Sequence, residues 1–170
     1  MPARPNSWKA LPEPEENLSA ELVDWFDDHG RDYAWRHTRD PFHILCVELM
    51  LQRTRADQVE PVFEEFCARF SSPEEVIDAG AETVKELFGR LGLLWRAEYF
   101  WKLQQQLVSE HGGTVPGEYG RLIELPGVGQ YAASAVRVFA HGERHTVVDS
   151  NVLRLFGRYY GIEFPDHARR

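Results

Sequence analysis

Two features of this 170-residue chain have the residue types and spacing for chemistry on a phosphate-bearing substrate. The first is Leu125-Pro126-Gly127-Val128-Gly129, a tight turn between two apolar stretches. Its glycines permit positive φ and close approach of another backbone. The amides of the turn and of the helix opening after it are expected to point outward and make an anion site. The second feature is Asp149, 22 residues after Gly127, which follows Thr146-Val147-Val148 and precedes Ser150-Asn151-Val152. A phosphate grip followed by a lone acid predicts a protein that holds DNA and acts on one nucleotide. Both features also have plainer uses. Links between helices often contain Gly, and Asp149 suits the N-cap of a last helix, as would Ser150.

A second group of candidates lies upstream, in residues 35–42 (WRHTRDPF) and 48–54 (ELMLQRT). Glu48 falls in the middle of an apolar helical stretch. A buried carboxyl costs free energy unless it is paired or has a function, so Glu48 is a site candidate, a salt-bridge member or a surface residue. Arg53 and Arg55 suit either a nucleic-acid contact or a solvated helix end. Met50 and the leucines around it read as core.

The elements that must position these residues read as helix after helix. Asn17 or Ser19 caps a helix through His29, with Leu18, Leu22, Val23 and Phe26 expected to face inward and Gly30 ending it. Asp40-Pro41 is a cap with proline at the first helical position, opening a helix to about Gln52. A helix over about 55–69 carries Val59, Val62, Phe63 and Phe66 at helical spacing. Ser72-Pro73-Glu74-Glu75 has the form of a capping box. Gly80, Gly89 and Gly92 punctuate short helices, and a long one over about 95–110 ends at Gly112-Gly113. A short helix near 119–124, the glycine turn, a helix to about His141 and a last helix over about 150–160 complete the pattern. No alternation argues for a strand, so the predicted class is all-α, as one domain or two small lobes.

Composition narrows the class further. Hydrophobic residues make up 43%, and ten Phe, six Tyr and five Trp argue against disorder. No apolar run reaches the roughly 20 residues of a membrane span, and residues 1–16 read as a loose Pro- and Glu-rich leader without the apolar stretch of a signal peptide. The net charge of −8 argues against DNA at first sight, but the acid excess lies over 1–30 and 61–120. Residues 121–170 carry seven basic against five acidic side chains. Only Lys9, Lys85 and Lys102 are lysines, so the cations are mostly Arg, the better bidentate partner for phosphate. Cys46 and Cys67 are expected to be reduced and buried, and no metal site is expected.

Taken together, residues 35–42, 48–54, 91–100 (LGLLWRAEYF), 125–136 (LPGVGQYAASAV) and 147–155 (VVDSNVLRL) resemble, in order, a helix-hairpin-helix (HhH-GPD) DNA glycosylase of the endonuclease III superfamily. The resemblance covers about Arg31 to the C-terminus. It implies an endonuclease III-like fold over residues 17–170, with the hairpin at about 119–141, and a base-excision enzyme acting on double-stranded DNA. Leu125, Gly127, Val128, Gly129, Gln130 and Arg53 then become DNA contacts, Arg53 at the wedge position. Asp149 stabilises the sugar cation or activates water, and Glu48 and Tyr131 contact the extruded base. Strand-cleaving members carry, where this chain has Tyr131, a Lys that forms a Schiff base. Residues 121–170 contain no Lys. The resemblance therefore implies a monofunctional glycosylase, most similar to the G:T mismatch thymine and uracil glycosylases of thermophilic archaea. Adenine glycosylases acting opposite oxidised guanine are the second choice, and a non-catalytic DNA-binding fragment the third.

Most relatives continue past the catalytic acid into helices ending in a four-cysteine motif that holds a 4Fe–4S cluster. That motif is absent here, so the chain is expected to be truncated relative to the family and to bind no cofactor. It is expected to be a monomer unless a partner supplies those helices, and to work in the cytoplasm, at a prokaryotic nucleoid. Truncation would leave the apolar faces of residues 17–29 and 150–160 exposed.

Overall fold

The computed structural model describes residues 18–92 and 94–162. The expected leader, residues 1–16, and the possible cap Asn17 lie outside them. The described residues form nine α-helices and one 3-10 turn, with no strand among them. The helices are α1 (Leu18–His29), α2 (Pro41–Leu51), α3 (Ala56–Arg69), α4 (Pro73–Ala79), α5 (Ala81–Gly89), α6 (Leu94–His111), α7 (Tyr119–Ile123), α8 (Gln130–Phe139) and α9 (Ser150–Tyr160). The chain divides into two compact units. One is Tyr33–Val147, and the other joins the residues up to Asp32 with those from Val148.

In the larger unit, α2 is the central element. The Asp40 carboxylate accepts from the His43 amide at 2.9 Å and Pro41 opens the helix, as the cap signal predicted. Phe42 and all residues from Ile44 to Met50 are buried, so α2 is covered on every side. It packs against α3, α6 and α8, while α6 also packs against α4 and α5. Val59, Val62, Phe63 and Phe66 of α3 enter this core. On α8 the buried residues are Ala132 to Val136, four of them Ala or Ser, which lets two backbones approach closely. The Ser72 hydroxyl accepts from the Glu75 amide, but the Glu75 carboxylate reaches back to Ser71, accepting from its amide at 2.6 Å. The predicted cap at Ser72 is formed, and the Glu75 carboxylate extends one residue beyond it to Ser71. Those hydrogen bonds hold the Glu75 carboxyl below its usual range. Cys46 is buried but Cys67 only half-buried, which corrects the expectation for the pair. Burial raises both thiols, that of Cys67 to about 11.

The described part of the smaller unit consists of α1 and α9, and neither helix has a buried residue. Leu22, Val23, Trp25 and Phe26 of α1 are exposed, as are Leu155, Phe156 and Tyr159 of α9. The expectation that Leu22, Val23 and Phe26 face inward is not met. Helical spacing defines an apolar stripe, but burial needs a surface for the stripe to meet.

Candidate active site

The hairpin is built from α7, a turn over 124–129, and α8. Gly127 has φ +79°, and a Cβ there would stand 3.0 Å from the Leu49 side chain and 3.4 Å from that of Tyr99. Both conformation and space thus require glycine at this position. The Gly127 carbonyl accepts from the Gln52 side chain at 3.0 Å, which ties the turn to the end of α2.

Leu125 and Val128 are buried and belong to the core. Their amides are also engaged, that of Leu125 by the Leu122 carbonyl and that of Val128 by the Leu125 carbonyl. These two predicted DNA contacts therefore shape the turn, and their amides are not among its open donors. The N-terminus of α8 comes next. Gly129 is the N-cap of α8, in extended conformation and with no side-chain cap. Its carbonyl starts the helix by accepting from Ala133 at 3.0 Å. The first amides of an α-helix have no partner within the helix itself, and here they begin at Gln130. Gly129, Gln130 and Tyr131 are exposed, and the positive end of the helix dipole lies at the same place.

Tyr131 is the second residue of α8 and is 40% exposed. Glu48, two turns into α2, is 7% exposed, a carboxyl among apolar neighbours on its own helix. Both belong to the larger unit, on helices that pack together. Arg53 follows the end of α2, is exposed, and has φ +57°. It is the one non-glycine residue with positive φ among the described residues.

Asp149 belongs to the other unit and is the N-cap of α9. Its Oδ1 accepts from the amides of Asn151 and Val152, both at 2.8 Å, and its Oδ2 from the Asn151 side chain at 2.8 Å. The Asn151 side-chain oxygen accepts in turn from Arg154. Asp149, rather than Ser150, is the cap, so its plainer use is realised whatever else the residue does.

Two residues matter to this site that sequence reasoning passed over. Gln52 makes the link to the hairpin. Arg96 is 3% exposed and donates to the carbonyls of Leu49, Met50, Gln52 and Leu91 and to the Thr54 hydroxyl. Burial pulls its guanidinium below the usual arginine range. A signal for it existed. Arg96 falls in phase with Ala97, Phe100, Leu103, Gln104 and Leu107, the buried face of α6. Two arginines of the hairpin helices carry ion pairs, Arg121 with Glu118 at 3.4 Å and Arg137 with Glu143. Such surface pairs contribute little to stability.

A 4Fe–4S cluster takes four thiolates. Cys46 and Cys67 are the two in the sequence, so these residues do not fit the group. Among the described residues no three His, Cys, Asp or Glu side chains gather as a metal site.

An all-helical frame around a glycine hairpin defines the class, a helix-hairpin-helix fold. Residues 46–169 match the model of the HhH-GPD superfamily base excision DNA repair proteins, and the chain belongs to that family. It is 34% identical over 150 residues to the thymine/uracil-DNA glycosylase of Methanothermobacter thermautotrophicus, covering 88% of this chain and 67% of the relative. An adenine DNA glycosylase of Mycobacterium tuberculosis is 34% identical over 154 residues, with 87% of this chain and 51% of the relative covered. The solved structure of a thermostable thymine-DNA glycosylase superposes with a TM-score of 0.79 at 32% identity, covering 84% of this chain and 66% of that one. An endonuclease III–DNA complex superposes with a TM-score of 0.70 at 25% identity, over 81% and 63%. The all-α, endonuclease III-like fold expected from sequence is the fold observed. The chain spans about two thirds of the thymine glycosylases it matches. No described helix is long and apolar enough to cross a membrane.

Proposed function

We propose that the protein is a monofunctional DNA glycosylase that hydrolyses the N-glycosidic bond of thymine or uracil opposite guanine and leaves an abasic site. One observation carries this reading. The hairpin opens α8 at Gly129, which has no side chain to cap the helix, and the second helical residue is an exposed tyrosine in a segment without lysine. Similarity to thymine/uracil glycosylases supports the choice of base.

A base inside a duplex is out of reach of side chains, so the target nucleotide must be rotated out. The amides of the hairpin hold the phosphates beside it, which fixes register without reading sequence. Arg53 fills the gap left in the stack. A mispaired thymine is cheaper to extrude than a paired one, and this supplies part of the selectivity. Breaking the bond develops positive charge on the sugar. Asp149 stabilises that charge or activates the attacking water. The pyrimidine leaves as an anion from its carbonyl side, and Glu48 and Tyr131 are the contacts assigned to it. The site of action is where the DNA is, a prokaryotic nucleoid.

The test is a panel of duplexes holding G:T, G:U, or A opposite oxidised G, incubated with the chain and then treated with alkali. Breaks at T and U only after alkali are expected. Breaks without alkali contradict monofunctional chemistry. Breaks at A favour the adenine reading, and binding without breaks favours a DNA-binding module. Tyr131→Lys is expected to yield an adduct trapped by borohydride. Its failure to do so would argue that Tyr131 does not stand at the nucleophile position.

A further inference from the structure

We infer that Arg96 is a positioning residue that holds Arg53 in its wedge conformation, an inference that rests on the role given to Arg53 above. Arg53 has φ +57°, a conformation that costs a non-glycine residue about 1–2 kcal/mol and persists only where its surroundings impose it. A glycine would relieve the strain but would remove the guanidinium that fills the stack.

One side chain grips both neighbours of Arg53. The Nη1 of Arg96 donates to the Gln52 carbonyl at 2.5 Å, and its Nη2 to the Thr54 hydroxyl at 2.7 Å. Nη1 is shared with the Met50 carbonyl at 2.9 Å and the Leu49 carbonyl at 3.3 Å, in the last turn of α2. Nη2 also reaches the Leu91 carbonyl at 3.2 Å, beyond α5. The planar fork therefore spans the end of α2, the residue before Arg53 and the residue after it. A lysine ammonium is a single point on a flexible stem and does not span them.

All five acceptors are carbonyl or hydroxyl oxygens and none is a carboxylate. A buried cation is a costly way to end a helix, since glycine ends helices routinely. What the cation adds is a fixed geometry on both sides of residue 53. Gln52 extends the grip, because its side chain holds the Gly127 carbonyl. The wedge and the phosphate-binding turn are thus positioned by one connected set of hydrogen bonds.

The experiment measures the affinity of the full chain for two duplexes, one with a tetrahydrofuran abasic-site analogue opposite G, the other an intact G:C duplex of the same sequence. The readout is the ratio of the two affinities. A general loss of stability lowers the folded fraction, weakens both affinities alike and leaves the ratio unmoved. R53A and R96K are each expected to lower the ratio about tenfold, and R53A/R96K no further than R53A alone, because contacts acting as one unit are not additive. Thr54→Val removes one acceptor at constant volume and is expected to lower the ratio about threefold, which keeps the test open if R96K folds poorly. An unchanged ratio in R96K and T54V overturns the inference, as does a double-variant loss equal to the product of the single losses. An unchanged ratio in R53A overturns the wedge reading and this inference with it. Failure of base release from G:T and G:U duplexes overturns the proposed activity and leaves the coupling of residues 53 and 96 standing.

Discussion

Helices α8 and α9 are of similar length, and each follows one of the two features that mark the sequence, yet their ends are built in opposite ways. α8 starts at Gly129, which has no side chain to cap its first amides. α9 starts at Asp149, whose own carboxylate fills the equivalent place. Their flanks differ as well. Five consecutive residues of α8 are buried against the core, while α9 has none buried. A helix N-terminus can accept an outside anion only where the chain does not fill it with its own acid.

The largest effect expected from this contrast is at Asp149. Asparagine is as good a cap as aspartate, so Asp149→Asn keeps the start of α9 while removing the negative charge. Base release is expected to fall by about 10³-fold or more, equivalent to about 4 kcal/mol of transition-state stabilisation. Affinity for G:T duplex should stay within about threefold of wild type. Single-turnover kinetics beside a binding titration would check this, and release at the wild-type rate would leave Asp149 as a cap alone.

The next effect separates the flanks. Leu45→Ala, in the fully buried α2, is expected to cost about 2–5 kcal/mol of stability, read as a large fall in melting temperature. Leu155→Ala, on the exposed side of α9, is expected to move stability by less than about 0.5 kcal/mol. Equal losses at the two sites would mean that α9 is covered after all.

A smaller effect would make α8 resemble α9. Gly129 is extended, with φ −95°, and has open space around the position of a Cβ. Gly129→Asp therefore introduces a carboxylate cap without strain. DNA affinity is expected to fall about 10- to 100-fold, the loss of one or two charge-assisted hydrogen bonds. Stability should rise by a few tenths of a kcal/mol. Undiminished affinity would show that phosphate does not bind at the α8 amides.

The smallest effect concerns thiol chemistry. Burial raises both cysteines, Cys67 to about 11, so the thiolate fraction is low at neutral pH. Because the folded pKa of Cys67 exceeds the unfolded value of 9.0, its contribution to stability is intact below pH 9 and is lost as pH rises toward 11. Alkylation by iodoacetamide at pH 7.5 should be slow in the folded chain and fast in denaturant, and equal rates would contradict the burial.

Sequence and structure agree most closely where the signal is local. Asp40-Pro41 opens α2, Gly127 takes the positive φ its turn needs, and Asp149 caps α9, because each depends on a residue type and its near neighbours. Agreement fails where a partner is required. Leu22, Val23 and Phe26 form an apolar stripe that burial does not follow. Leu125 and Val128 read as part of a DNA-facing turn, yet their side chains enter the core and their amides are engaged within the turn.

The sequence alone determined the helices, the glycine hairpin, the absence of lysine behind it and the acid that follows, since caps, periodicity and φ preferences act over a few residues. Only the tertiary structure decided which apolar faces are covered, which turn amides are engaged, and that Arg96 and Gln52 grip the backbone around Arg53 and Gly127. All but the bond to the Thr54 hydroxyl end on carbonyl oxygens, which every residue carries, so helical phase marks Arg96 as buried but residue types do not name its acceptors until the chain is folded.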